Sequence, residues 1–273
     1  MSQLFFANSA DLHVRQRLVQ AGGSFHRKLV LRTRFGLFRH PSQGLVLIDT
    51  GYGPAVTQGA GRSAALKAYA RVLRPDLLAK GALPAVLDRV GARPADIRTV
   101  VLTHLHADHV AGLALLPHAR LVLSRQAVPG RGPIAALSHG VFTELLPPDF
   151  PQRLEFIEDA PTIAAPDGRA DGRADGRDLF GDGSMIAMPL PGHAAGHIGL
   201  WFPTVAGSPV YGCDAAWVGE DLDCGQLPGP PARLVLHSAR AARDSLRRLA
   251  AIKAAGHPVI LCHDPRPNRY DLT

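Results

Sequence analysis

An α/β fold with two β-sheets faced by helices is predicted by three observations. Short apolar runs of strand length recur in both halves of the chain, and Ala/Leu-rich stretches of helical spacing lie between them. The 273 residues include 28 Gly and 23 Pro, a content that favours many short elements joined by tight turns over a helical bundle.

Lys28–Thr33 and Leu45–Asp49 read as strands, the second a continuous apolar run stopped by Asp49-Thr50-Gly51, with Ser42-Gln43-Gly44 as the turn between them. Ser63–Leu73 and Leu83–Val90 read as helices, and Pro94–Ile97 as a helical turn leading into a buried strand at Thr99–Leu102. Further strands are expected at Arg120–Leu123, Arg153–Ile157, Met185–Met188, Gly199–Phe202, Pro209–Gly212 and Pro258–Cys262. Before the last of these, Ser238 can cap a helix whose Ala242, Leu246, Leu249 and Ile252 recur at helical spacing and which Gly256 ends. The whole chain, 1–273, is expected to form one domain. It carries a flexible loop at about 166–183, where the unit Asp-Gly-Arg occurs three times (Asp167, Asp171 and Asp175 open the copies).

A hydrophobic content of 46% against 19% charged residues excludes a disordered chain. The net charge of +7 is spread along the sequence without a basic run or interleaved aromatics, so no nucleic-acid partner is expected. No window reaches the ~18 uninterrupted apolar residues of a membrane span, and the opening segment lacks a basic start followed by an apolar stretch. Cys213, Cys224 and Cys262 show neither a disulfide framework nor a CxxC metal site. A soluble, cytoplasmic protein without a membrane partner is expected, its oligomeric state left open.

The chemistry concentrates in Thr103-His104-Leu105-His106-Ala107-Asp108-His109, directly after the Thr99–Leu102 strand. On an extended chain His104 and His106 point to one face, while Asp108 and His109 fall on the following turn or helix start. Neutral imidazole and carboxylate are ligands for first-row metals, and this density of them points to an enclosed metal site. Further candidates each lie just past a strand: His193 in Pro191-Gly192-His193-Ala194-Ala195-Gly196-His197, Asp214, and His263. Strand ends on one edge of a two-sheet scaffold can gather such distant residues.

On these residues, together with Asp49 in Leu47-Ile48-Asp49-Thr50-Gly51, the chain resembles the metallo-β-lactamase superfamily from Leu45 to His263. The resemblance implies an αββα sandwich with two divalent metal ions, zinc first and iron, manganese or cobalt as alternatives. It implies that His104, His106 and His193 hold one metal, that Asp108, His109 and His263 hold the other, and that Asp214 bridges them. A hydroxide between the metals is then the nucleophile, with Asp108 and Asp214 as the carboxylates that fix it. Asp49 resembles the carboxylate that orients a metal-bound His or the site loop. His197 is expected behind the ligands or against substrate. Cys213 and Cys262 precede proposed ligands by one residue, so their thiols are expected to face away from the metals. His13, His26, His40, His118, His139, His237 and His257 are expected in surface or structural roles.

Phe38-Arg39-His40-Pro41, the His104 string, Pro-Gly-His-x-x-Gly-His and His263-Asp264 resemble the lactonase-like branch related to N-acyl homoserine lactonases. Those lactonases often carry a tyrosine three residues beyond the bridging Asp, where this chain has Trp217. Indole donates one hydrogen bond but cannot act as a phenol-type acid, so Trp217 is expected as an apolar wall. The resemblance implies a metal-dependent hydrolase of a small-molecule lactone or carboxylic ester. The segment Val56–Ala82, with Leu73, Leu77 and Leu78, reads equally as an apolar cover for an acyl chain or as a packed surface helix. The alternatives are a thioester hydrolase of the glyoxalase II kind, a phosphodiesterase, and a metal-free binding protein on the same fold.

Overall fold

The computed structural model describes residues 2–130, 132–167, 174–230 and 232–272. Among these, thirteen strands form two sheets. The first contains β1 (Gln3–Arg15), β2 (Lys28–His40), β3 (Gly44–Ile48), β4 (Asp76–Leu77), β5 (Thr99–Val101), β6 (Arg120–Leu123) and β7 (Leu154–Phe156), in the order β4-β1-β2-β3-β5-β6-β7. The second contains β8 (Thr162–Ile163), β9 (Gly176–Asp178), β10 (Ile186–Pro189), β11 (Ile198–Trp201), β12 (Val210–Cys213) and β13 (Val259–Leu261), in the order β13-β12-β11-β10-β9-β8.

Burial on both faces explains why several strands read as unbroken apolar runs. Along β3, Leu45 and Leu47 face the helices while Val46 and Ile48 face the second sheet. Val100 and Val101 of β5 divide in the same way. Between the sheets, Phe6, Phe38, Ile48 and Val101 meet Met185, Leu200, Tyr211 and Ile260. On the far side of the second sheet, Leu246, Leu249 and Ile252 of the helix Ala239–Ala254 pack on Met188, Val210 and Leu261. Three apolar layers alternating with two sheets give two mixed sheets flanked by helices, as expected. Strands β3, β5, β6 and β7 run parallel, so their C-terminal ends share one edge. The parallel pair β12 and β13 contributes its own C-terminal ends beside them.

Strand β1 has no counterpart in the sequence reading. Its alternation breaks where the register with β2 shifts between Asn8 and Asp11. The Asn8 side chain fills the bulge, accepting from the Thr33 N–H (2.7 Å) and donating to Asp11 Oδ1 (2.7 Å). Strand β2 also runs on past Thr33 to His40, because Arg34, which breaks the apolar run, is neutralised inside the protein. The turn Ser42-Gln43-Gly44 joins β2 to β3, and His40 Nδ1 accepts from the N–H groups of Ser42 and Gln43, the structural role expected for it.

One other expectation needs correction. Within 166–183, residues 168–173, which hold most of the first two Asp-Gly-Arg copies, lie outside the described residues, but Gly176–Asp178 is strand β9 rather than loop. Arg248 pairs with Asp167 (2.9 Å) and Asp175 (2.7 Å), using charges of the repeat to anchor its two flanks on the Ala239–Ala254 helix. Of the two readings of the segment 56–82, the structure has the surface helix, Ala64–Leu73 capped by Ser63, rather than a continuous apolar cover, and edge strand β4 follows it, where Leu77 pairs with Ala10.

Arg34 is 1% exposed and fully engaged. Its guanidinium donates to Asp271 (2.8 and 3.0 Å) and to the carbonyls of Leu261, Asp264 and Arg266 (3.1, 2.7 and 2.7 Å). The pair thus clamps the turn that follows His263. Removing one partner of a buried ion pair costs about 3–5 kcal/mol because the other charge stays buried. Asp271→Ala should therefore lower Tm by roughly 6–15 °C in a chain of this size, read by calorimetry, whereas a shift below about 2 °C would mean that Arg34 finds solvent instead.

Candidate metal centre

The buried strand β5 delivers the chain to the site. After Thr103, His104 and His106 lie in the connecting loop, and Asp108 and His109 occupy the short helix Ala107–Val110. The turn after β10 supplies His193, the end of β12 supplies Asp214, and the end of β13 supplies His263. All seven residues named from the sequence converge.

Asp214 lies at the middle. Its Oδ2 is 3.3 Å from His193 Nε2, 3.3 Å from His263 Nε2, 3.6 Å from His109 Nε2 and 3.9 Å from His104 Nε2. Two groups meet there. On one side His106 Nδ1 is 2.9 Å from His193 Nε2, with His104 beside them, all three ligand atoms within 4.8 Å of one another. On the other, Asp108 Oδ2 is 3.3 Å from His109 Nε2 and 3.4 Å from His263 Nε2.

The far ring nitrogens are fixed by hydrogen bonds, which turns the near ones inward. His109 Nδ1 donates to Asp49 Oδ2 (2.9 Å), and His263 Nδ1 donates to the Arg32 carbonyl (2.6 Å). Asp49 also accepts from the Thr103 N–H (2.8 Å) and hydroxyl (2.9 Å), while that hydroxyl lies 3.1 Å from His104 Nδ1. One carboxylate therefore holds both arms of the His104–His109 segment. Asp49 itself has a left-handed backbone (φ 58°), strain that non-glycine residues accept mainly where surrounding contacts enforce it.

His197 is 1% exposed and stands behind the cluster. Its Nδ1 donates to the Leu190 carbonyl (2.8 Å) and its Nε2 accepts from the Asp214 N–H (3.3 Å), so it orients Asp214. Burial pushes its pKa down to about 4, which keeps that nitrogen an acceptor. Trp217 stands edge-on to the cluster, its ring centroid 6.0 Å from those of both His193 and His263.

The electrostatics divide the same way as the geometry. Burial, with the neighbouring imidazoles, pushes His104 well below its usual pKa; burial also lowers His193 and His106, against the pull of nearby carboxylates. For His109 burial likewise opposes charge, but Asp108 and Asp49 outweigh it and hold the pKa well above normal. His263 is raised too, because Cys262 and Asp214 overcome its desolvation. One side is thus three neutral imidazoles, and the other is a carboxylate-rich nest that attracts positive charge. The buried Nε2 atom of His104 has no hydrogen-bond partner among the described residues. A neutral imidazole acceptor left without a donor, beside carboxylates that no Lys or Arg among the described residues neutralises, fits divalent cations.

Several participants escaped the sequence reading. Thr103 was seen only as part of the string. Neither thiol faces away: the left-handed backbone of Cys213 (φ 49°) turns the chain, leaving its Sγ 3.2 Å from Thr103 Oγ1 and 3.6 Å from Asp214 Oδ1, and Cys262 Sγ lies within 4.8 Å of the ligand atoms of His109, Asp214 and His263. Strict alternation fails there because the β12–β13 register shifts between Tyr211 and Cys213. Tyr52 and Tyr69 form a hydroxyl pair on the Asp108 side. His237 is exposed, in keeping with the surface role expected for it, and His139 is half-buried; both line a cavity with His106 and His193.

Comparison with known proteins agrees with this geometry. The profile of the Metallo-beta-lactamase superfamily matches residues 34–255. A probable metallo-hydrolase of Mycobacterium tuberculosis is 28% identical over 239 residues, 81% of this chain and 71% of that protein. The N-acyl homoserine lactonase AttM of Azorhizobium caulinodans is 29% identical over 237 residues, 85% of this chain and 81% of that one. Among solved structures, a variant of AiiA from B. thuringiensis with N-decanoyl-L-homoserine bound superposes with a TM-score of 0.69, at 20% identity, covering 96% of this chain and 93% of that one. At that identity the likeness is one of fold.

Because Asp49 orients His109 directly and His104 through Thr103, Asp49→Ala should weaken zinc binding by about 10–100-fold. Competition with a chromophoric chelator measures this. Thr103→Val, which keeps the backbone donor, should cost less, and equal affinities for wild type and Asp49→Ala would show that the carboxylate does not orient the ligands.

Proposed function

The chain belongs to the metallo-β-lactamase superfamily, and from that membership and the geometry of the site we propose that this metal-dependent hydrolase uses two divalent ions to cleave a lactone or carboxylic ester. The observation that carries the reading is the position of Asp214 Oδ2, within 3.9 Å of imidazoles from both groups. His104, His106 and His193 would hold one ion and Asp108, His109 and His263 the other, with Asp214 shared. Zinc suits imidazole and carboxylate, and iron, manganese and cobalt accept the same donors. Such a pair, when bound, lowers the pKa of water and polarises a carbonyl.

The chain's own groups set the conditions. Asp49, His197 and the Arg32 carbonyl fix the donor atoms, so little reorganisation accompanies charge development. The Trp217 ring stands on the side of His193 and His263, restricting water and giving the substrate an apolar face. With indole at this position, no phenol acid is available three residues past Asp214. The names of AttM and AiiA associate relatives of this fold with lactones, which places lactones first among the esters to be tried.

Zinc-loaded protein should hydrolyse acyl lactones and simple aryl esters, and lose turnover on chelation. His106→Ala should lower kcat/KM by more than the ~100-fold that outer partners typically cost. A spectrophotometric panel of lactones, esters, thioesters and phosphodiesters measures this. Turnover of thioesters or phosphodiesters alone would overturn the substrate class, and undiminished turnover after complete metal removal would overturn the metal dependence.

A further inference from the structure

Beside the candidate metal centre lies a cavity of about 300 Å³, whose floor is formed by His106 and His193. Its size is at the lower limit of small-molecule pockets, which span roughly 300–1,000 Å³. Two further imidazoles, His139 and His237, line it with their ring centroids 5.6 Å apart and their planes inclined by 45°. Neither is a member of the metal-ligand set.

Both are tied to that set through the backbone. The His237 N–H donates to the His193 carbonyl (3.1 Å). The residue after His139 is Gly140, with φ +72°, and a Cβ there would sit 2.7 Å from His106 Nε2. The backbone at both positions is therefore held beside the candidate ligands, with His139 half-buried and His237 exposed. His139 Nδ1 is buried and has no hydrogen-bond partner among the described residues. The opposite wall is aliphatic: Leu137, Leu234 and Val235 line the cavity yet are 47%, 82% and 62% exposed. Among the described residues no Asp or Glu lines the cavity, so an oxygen acceptor entering it meets donors without carboxylate repulsion from them.

We propose that His139 and His237 form a clamp for a second oxygen function of the substrate, making this cavity a specificity subsite for acyl groups that carry a carbonyl or carboxylate oxygen along an aliphatic chain. The oxygen accepts from the ring N–H groups while the chain lies along Leu137, Leu234 and Val235. A spacing of 5.6 Å between ring centroids lets one oxygen reach a nitrogen of each ring at ordinary hydrogen-bond length, about 2.7–3.2 Å. Both residues are specificity-determining, and the bond that breaks is the ester bond of the proposed reaction. The assignment rests on the ester or lactone hydrolase reading of the neighbouring centre.

Three aryl esters of equal chain length test it on the zinc-loaded full-length enzyme: one with a plain alkyl chain, one with a chain ketone and one with a terminal carboxylate. The wild type should prefer one or both oxygenated esters by about tenfold or more in kcat/KM, the gain of one net hydrogen bond. The ranking of ketone and carboxylate identifies the source of the oxygen. His139→Phe and His237→Phe should each bring the ratio to within about twofold of unity through KM, and His139→Gln, which retains a donor, should restore part of it. Metal content and Tm report the integrity of each variant. A wild-type ratio near one, an unchanged ratio in both Phe variants, or an equal fall on all three esters overturns the clamp. Calorimetric binding of an alkyl amide with and without a chain ketone gives a readout independent of turnover: if no ester is hydrolysed, the hydrolase reading fails, while this binding ratio still supports or overturns the clamp.

Discussion

One buried carboxylate, Asp214, organises the molecule. It is 4% exposed and faces four imidazole nitrogens across 3.3 to 3.9 Å. Withdrawing an ionised carboxylate from water is expensive unless positive charge compensates for it. Burial raises its pKa, but the attraction of His263, His109 and His193 outweighs that and holds it ionised well below the ordinary carboxylate range. The imidazoles in turn need fixed tautomers, which Asp49, the Arg32 carbonyl and Thr103 supply. Arg34 and Asp271 then hold the turn after His263, so a charge network reaches from the cluster to the C-terminal residues.

The two halves of the cluster are not equivalent. Three neutral imidazoles on one side present lone pairs and no net charge, whereas Asp108, Asp214 and Asp49 surround His109 and His263 with negative potential. In the proposed two-ion arrangement, a cation on the carboxylate side would displace positive charge already drawn to His109 and His263, whereas one on the imidazole side would displace none, so binding at the carboxylate side would couple more strongly to proton release.

Most of this was readable because the ligands are compressed in sequence or stand directly after apolar strands. The His104–His109 string needs no tertiary information to suggest a metal, and Asp214 and His263 follow runs such as Val259–Cys262 whose burial is evident. What could not be read depends on local departures from regular geometry. The bulge at Asn8–Asp11 hides β1, and the left-handed Cys213 defeats the alternation that placed its thiol on the far side. His139 and His237 are 98 residues apart in sequence, so neither had a visible companion; they meet only because a glycine lets the chain pass against His106 and because the loop before Ser238 bonds to the His193 carbonyl.

That difference bears on how such a centre is specialised. The donor atoms are fixed by the sheets: moving Asp214 or His263 would require moving β12 or β13, whose side chains fill the core on both faces. The groups proposed to face the substrate come instead from connections outside the sheets, the helix Pro133–Ser138 with its following turn and the segment before the Ala239–Ala254 helix. Substitution there disturbs few buried apolar contacts, because Leu137, Leu234 and Val235 are already exposed. Trp217 is intermediate, anchored in the core near Val218 yet facing both halves of the cluster. A rigid charged centre surrounded by replaceable walls lets selectivity change without re-solving the problem of burying Asp214, so in the proposed reaction the walls, rather than the ligands, would set the choice of substrate.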